Sequence, residues 1–398
     1  MRHTIASPRH GLTESLTAEE QAHSAHLLQV IHTAIEAAGG WLDFQFFMNL
    51  ALYAPGLGYY SAGAHKLGAG GDFTTAPETS PLFSRCVAQQ CIEVLQHLPQ
   101  GSVLELGAGS GVMAVDLLRE FERVGCLPER YYILEVSADL RARQQALIEQ
   151  HLPQYVERVQ WLSALPKHFV GVIVANEVLD ALPVQRFCVQ HGRVQAMGVT
   201  HSDLGLHWQL RDADAALTTA VQQIDPAVRA AWPEGYCSEI NMQLAAWIHA
   251  LAECMQQGVL LFIDYGFSQS QYYSAERTSG TLSCFFRQRM HDDPLMNVGL
   301  QDITAWVDFT SVANAGLAAG LTLEGFATQA HFLLGCGLDR LLVDMSEQPD
   351  TVRWSLSQQV QKLTLPSEMG ESFKAMAFSK DCEVQLSGFA FRDLRDRL

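Results

Sequence analysis

Leu104-Glu105-Leu106-Gly107-Ala108-Gly109-Ser110-Gly111 decides the fold. It closes a short apolar strand, SVLEL at 102–106, and opens a helix expected over 111–124. Glycines at such a junction let the backbone turn through positive φ and let a ligand approach the chain closely. Outward from this point the pattern alternates. A helix at 84–97 precedes the strand. Strand YYILEV (131–136), helix 138–150, strand VQWL (159–162) and strand GVIVAN (171–176) follow it. Such alternation predicts an α/β fold with a doubly wound parallel sheet. A helix at 239–256 then leads to GVLLFIDYG (258–266), an apolar run of the kind buried on both faces of a sheet.

The remaining segments are placed around this core. Residues 1–17 read as a flexible tail. Residues 18–83 hold N-terminal helices and a lid loop. The first helix starts at Thr17-Ala18-Glu19-Glu20, which has the spacing of a capping box, and a second amphipathic piece covers 44–53. The glycine-rich stretch 54–83 is too long for a mere connection. The core spans 84–266, with a short antiparallel β insertion near 186–212. Residues 267–398 form an accessory region and complete the core sheet.

The chain has 398 residues, 48% apolar and 17% charged, which excludes disorder across its length and allows a large core. Its net charge of −17 disfavours general nucleic-acid binding and suits a basic protein segment. Nine cysteines form no C-x-x-C pair, so reduced thiols in a cytoplasmic protein are expected. No apolar run reaches the roughly 20 residues of a membrane span. The N-terminus lacks the apolar stretch of a secretory signal. With Arg2 and Arg9 and no acid before Glu14, a short mitochondrial presequence is the lesser alternative.

The glycine turn has two chemical readings. A dinucleotide fingerprint fits Gly107 and Gly109 but meets Val112 where glycine or alanine is needed, which disfavours a nicotinamide cofactor. The other is E-x-G-x-G-x-G, which resembles motif I of class I S-adenosylmethionine-dependent methyltransferases. In that reading an acid at the end of the second strand takes two hydroxyls, and Glu135 stands there, 24 positions after Gly111. The plain structural alternative is a glycine turn that only joins strand to helix.

Asn176-Glu177-Val178-Leu179-Asp180-Ala181-Leu182-Pro183 follows the next strand, where open α/β sheets place ligands. On a helix, Glu177 and Asp180 would share a face and could orient a cationic nucleophile and take its proton. The bland alternative makes Asn176 or Asp180 a helix cap and leaves Glu177 in water. Asp264-Tyr265-Gly266 ends the long strand, and there a turn-holding and an active-site role stand level. The loop at 70–80 could close as a lid, or be a surface loop capped at Thr79 or Ser80. His291, Asp292, Asp293, Asp302 and Asp308 lack a standard metal-ligand spacing, so no metal is expected. G-x-S-x-G and Gly-Lys-Ser/Thr are both absent.

Seven stretches together resemble the MidA family of class I methyltransferases. They are FMNLALYAPGLGYYSAG (47–63), GAGGDFTTAPETSPLF (68–83), LELGAGSG (104–111), YYILEVSADLRARQ (131–144), ANEVLDALPV (175–184), LLFIDYG (260–266) and DITAWVDF (302–309). The resemblance covers about residues 40–390. It implies a Rossmann-like S-adenosyl-L-methionine-binding sheet with an accessory α+β region. Gly107, Gly109 and Gly111 would line the cofactor, Glu105 would support the loop, and Glu135 would take the ribose. Asp72, Thr74, Pro77 and Glu78 would belong to the lid, and Asn176, Glu177 and Asp180 would face the substrate. The family includes a mitochondrial assembly factor for respiratory complex I, and its eukaryotic branch is associated with arginine methylation of a complex I subunit. A protein substrate is therefore implied, and a second copy of the chain is a further candidate partner. Departures are LELGAGSG, where proline is frequent in G-P-G, and Ser84-Arg85, where glycine is common. Other readings on this scaffold are a non-catalytic assembly chaperone and a small-molecule methyltransferase.

Overall fold

The computed structural model describes residues 16–62, 75–344 and 349–398. The expected tail, apart from its last two residues, and the lid residues Asp72 and Thr74 lie outside the described residues.

Seven strands make the central sheet: β1 (Ser102–Leu106), β2 (Tyr131–Leu134), β3 (Val159–Leu162), β4 (Phe169–Asn176), β5 (Met255–Phe267), β6 (Thr322–Thr328) and β7 (Phe373–Lys380). Their spatial order is β6-β7-β5-β4-β1-β2-β3, and the short strand Val307–Asp308 adds to the end of β5. Neighbours from β3 through β5 pair in parallel. Strand β7 enters antiparallel between β5 and β6, so the C-terminal part of the chain completes a mixed sheet. The order reverses between β1 and β4, and the crevice there opens outside the carboxyl ends of both strands.

The strands lie between two apolar layers because their side chains alternate. Val103, Ile133, Val172, Val174 and Leu261 join one layer. It packs on the helices α3 (Pro81–His97) and α4 (Val112–Val124), with α5 (Ala138–His151) at its flank; α1 (Ala18–Ala37) and α2 (Phe44–Tyr53) precede these in the chain. Leu104, Leu106, Ile173, Leu260 and Phe262 face the other way, onto α6 (Leu244–Cys254) and α7 (Phe309–Ala318). Fully burying each such side chain contributes roughly 1.5–3 kcal/mol.

Local chemistry sets the element ends. Thr17 and Glu20 form the expected capping box at the start of α1. Helix α3 begins three residues before the expected position, because Ser80 caps it and Pro81 takes the first helical place, where no N–H is needed. The helix expected from 239 begins only at Leu244. Cys237–Ile240 is instead a strand, drawn into pairing with Gln185–Cys188. Strand β2 stops at Leu134, two residues short, which releases Glu135 and Val136 from the ladder.

Two accessory sheets flank the core. One joins Leu42–Asp43, Gln185–Gln190, Arg193–Ser202, Gly205–Asp212 and Cys237–Ile240, all antiparallel, and packs against α1 and α2. Its register sets Cys188 opposite Cys237, 4.1 Å apart at Cα, and the two are joined by a disulfide. This corrects the expectation of nine reduced thiols; the other seven are free. The second sheet joins Arg289–His291, Ser283–Phe286 and Asp302–Thr304 and brings Asp302 to the crevice. No described helix is long and apolar enough to cross a membrane.

Candidate active site

A cavity of about 900 Å3 fills the crevice at the switch point. Glu105, Gly107, Gly109, Glu135, Asn176, Glu177 and Asp180 all line it, as do Pro77 and Glu78. Gly111 does not. It caps α4 at φ 86°, and a Cβ there would stand 3.2 Å from the Gln144 side chain, so its role is close packing.

On one side lies the glycine turn. Gly107 and Gly109 take φ 62° and 54°, a region where a Cβ costs roughly 1–2 kcal/mol. Glu105 is the last residue but one of β1, only 1% exposed, and accepts a 2.6 Å hydrogen bond from the Tyr131 hydroxyl. Burial pushes its carboxyl up to about 7, against that bond. Glu135 accepts from the Ser137 backbone N–H at 2.8 Å and from the Gln144 amide at 3.1 Å. Burial raises its carboxyl above the ordinary range. Gln144 also donates to the Gly109 carbonyl at 2.9 Å and accepts from the Trp161 indole at 3.0 Å. One amide thus fixes both the acid and the glycine turn. Val136 follows Glu135, 74% exposed, as an apolar floor of the cavity.

On the other side the segment after β4 does not turn helical. Glu177 takes φ 53°, unusual for a residue with a side chain, held as its N–H donates to the Ile263 carbonyl at 2.9 Å. Backbone N–H groups of Val178, Leu179 and Asp180 then converge on Asp264 Oδ2 at 2.9–3.3 Å, and that of Tyr265 bonds Oδ1. Asp264 therefore holds the turn and does not line the cavity. Glu177 and Asp180 line the same cavity, but a carboxylate-pinned loop brings them there rather than the expected helix face.

The two acids differ in their surroundings. Glu177 is half-buried, and its Oε1 accepts from the Ala76 N–H and the Asn176 amide, both at 3.2 Å. Asp180 is 5% exposed; its Oδ2 accepts from the Tyr265 hydroxyl at 2.5 Å, and its Oδ1 has no hydrogen-bond partner among the described residues. Burial first, then the neighbouring charge of Asp180, pushes Glu177 up to about 8. Burial likewise pushes Asp180 up to about 6, against its bond to Tyr265.

Several cavity residues escaped the sequence reading. Tyr53 and Tyr60 stack at 5.5 Å between ring centres, and the Tyr60 hydroxyl bonds the Asp302 carboxylate at 3.0 Å. Tyr265 stands edge-on to Trp306 and Phe373. Gln144 left one signal: it sits four residues from both Leu140 and Ile148, a polar residue on an otherwise inward stripe. Asp302 and Asp308 part company in the structure. Asp302 faces the cavity, while Asp308 caps α7.

An open sheet of this order, with a glycine turn after β1 and an acid after β2 across the switch point, defines a class I S-adenosylmethionine-dependent methyltransferase. The family model described as "Putative S-adenosyl-L-methionine-dependent methyltransferase" matches residues 86–327. The chain belongs to that family, the MidA family of methyltransferases. It superposes on a crystal structure from Burkholderia thailandensis bound to S-adenosyl-homocysteine with a TM-score of 0.92, at 37% identity, over 97% of this chain and 100% of the other. Protein arginine methyltransferase NDUFAF7, mitochondrial, of Danio rerio is 28% identical over 366 residues, 85% of this chain and 83% of its own. The Drosophila melanogaster homologue is 27% identical over 92% of this chain and 87% of its own. S-adenosyl-L-methionine is accordingly the cofactor.

Proposed function

We propose that this methyltransferase modifies an arginine side chain in a protein partner. The observation that carries the reading is the convergence of Glu177 and Asp180 on one cavity with the glycine turn, with a buried Asp180 oxygen that no described residue satisfies. A buried, unpaired carboxylate oxygen is costly unless a donor arrives. Guanidinium supplies several donors and a fixed positive charge.

The cofactor side fits the same reading. Glu135 holds the ribose hydroxyls, since its two bonds to Ser137 and Gln144 leave acceptor capacity toward the cavity. Gly107 and Gly109 give the amino-acid end room, and Glu105 supports their turn. Pro77 and Glu78 line the same cavity. When bound, the cofactor supplies a methyl group on a positively charged sulfur, already electrophilic. The protein's task is alignment and proton transfer. Glu177 and Asp180 orient the guanidinium, with Asn176 bracing Glu177, and one of the two carboxylates takes the proton that the nitrogen loses as it gains the methyl.

That the Danio rerio and Drosophila melanogaster relatives are named protein arginine methyltransferases supports arginine as the acceptor. The net charge of −17 supports a basic partner segment. The family resemblance supplies a respiratory complex I subunit as the first partner to test. Glu177→Gln keeps the shape and removes the charge. It is expected to leave cofactor affinity within about twofold and to lower turnover by ~100-fold or more, the size of a lost general base. Unchanged turnover on a verified substrate would remove Glu177 from this role.

A further inference from the structure

We propose that Tyr265 is a positioning residue of the acceptor site: its phenol occupies Asp180 Oδ2 and leaves Oδ1 as the one oxygen that meets the incoming cation. The proposal rests on the acceptor reading above.

The geometry fixes each partner in turn. The Tyr265 hydroxyl lies 2.5 Å from Oδ2. Its ring is held edge-on by Trp306 at 5.5 Å and Phe373 at 5.3 Å, so the phenol cannot swing away. Asp180 is tied at both ends of its backbone, donating its N–H to Asp264 Oδ2 and accepting at its carbonyl from the Ala305 N–H at 3.0 Å. Little freedom remains for the carboxylate to turn. A free carboxylate would take guanidinium side-on through both oxygens. Here Oδ2 already accepts from the phenol while Oδ1 has no partner among the described residues, so Oδ1 is the oxygen with both lone pairs open to the cation.

Glu177 repeats the arrangement, with Oε1 taken by Ala76 and Asn176. Two acids offering one oxygen each grip two points of a planar cation, where a single fork would grip one edge. The phenol also matters electrostatically. Asp180 lies in a crowded field: Glu177 and Asp264 are the carboxylates that feel it, Tyr53, Tyr60 and Tyr265 are the hydroxyls, and Asp302 bears on Tyr53 and Tyr60 as well. Donation from Tyr265 favours the ionised form that a cation needs.

The test uses the full chain loaded with S-adenosylhomocysteine, with N-acetyl-L-arginine amide as the probe, titrated calorimetrically from pH 6 to pH 8. Tyr265→Phe is expected to bind S-adenosylhomocysteine as the parent does, to lose roughly tenfold in probe affinity at pH 7, as for one charge-assisted hydrogen bond, and to move the pH midpoint of probe binding upward. Parent-like probe affinity and midpoint in Tyr265→Phe, with the probe lost in Asp180→Asn, overturns the positioning role alone. Loss of S-adenosylhomocysteine binding in Tyr265→Phe also overturns it, since Tyr265 is then structural. No probe binding by the parent, or parent-like binding by both Asp180→Asn and Glu177→Gln, overturns the acceptor reading and this proposal with it.

Discussion

Glu135 accepts two hydrogen bonds from the protein and keeps its remaining lone pairs for the cavity. Its removal takes away the only carboxylate at the end of β2 among the described residues. Glu135→Ala is expected to weaken S-adenosyl-L-methionine binding by roughly 100-fold or more, as two hydrogen bonds to a charged group are lost. A calorimetric titration reads this directly, and an affinity within threefold of the parent would place the ribose elsewhere. At Glu177 the backbone itself is committed. A non-glycine residue at φ 53°, held by Ile263 and Asp264, is strain retained by its surroundings.

At the scale of elements, two glycines in the central strands take backbone conformations that would aim a side chain into the neighbouring strand. Ser102, Gly171 and Gly258 lie side by side across β1, β4 and β5. A Cβ on Gly171 would stand 1.9 Å from the Ser102 carbonyl oxygen, and Gly171 itself has φ 136°. Gly171→Ala is therefore expected to cost about 3 kcal/mol or more, because the obstruction is backbone and cannot rotate away. Denaturant unfolding measures this, and a midpoint equal to the parent's would contradict the register described. The same scale shows what was legible in the sequence. Strands β1 to β5 and the helices between them announced themselves by apolar runs and caps, which are local. The strand at Cys237–Ile240 did not, because only its pairing with Gln185–Cys188 makes it one. In the cavity, Glu105, Glu135, Glu177 and Asp180 stood out at strand ends. Tyr53 and Tyr60 did not, and Asp302 drew notice only as a metal-ligand candidate, since long-range packing alone carries all three there. Tyr265 lay in a quoted motif, but its value depends on a contact 85 positions away in the chain.

The whole molecule gathers carboxylates around one cavity, and its stability should register that. Burial raises Glu105 to about 7 and Glu177 to about 8, whereas carboxyls in an unfolded chain titrate near 4. Between those values the folded state holds more protons than the unfolded one, so stability falls as pH rises. The range from pH 6.5 to 8 lies above the histidines His32, His291 and His331, which burial lowers, and stops where Lys374 begins to matter. The melting temperature of the ligand-free protein is expected to fall by about 2–4 °C across it. Glu177→Gln should flatten the slope, and a melting temperature that rises over this range in the parent would contradict the burial of these acids.

The same cavity makes the central claim measurable without knowing the partner. The protein, methyl-labelled S-adenosyl-L-methionine and a cell extract are incubated together, the proteins are hydrolysed, and the label is traced among the amino acids. The account predicts label in methylated arginine, present with the parent and absent with Glu177→Gln. Label in another amino acid, or none in protein, would contradict it.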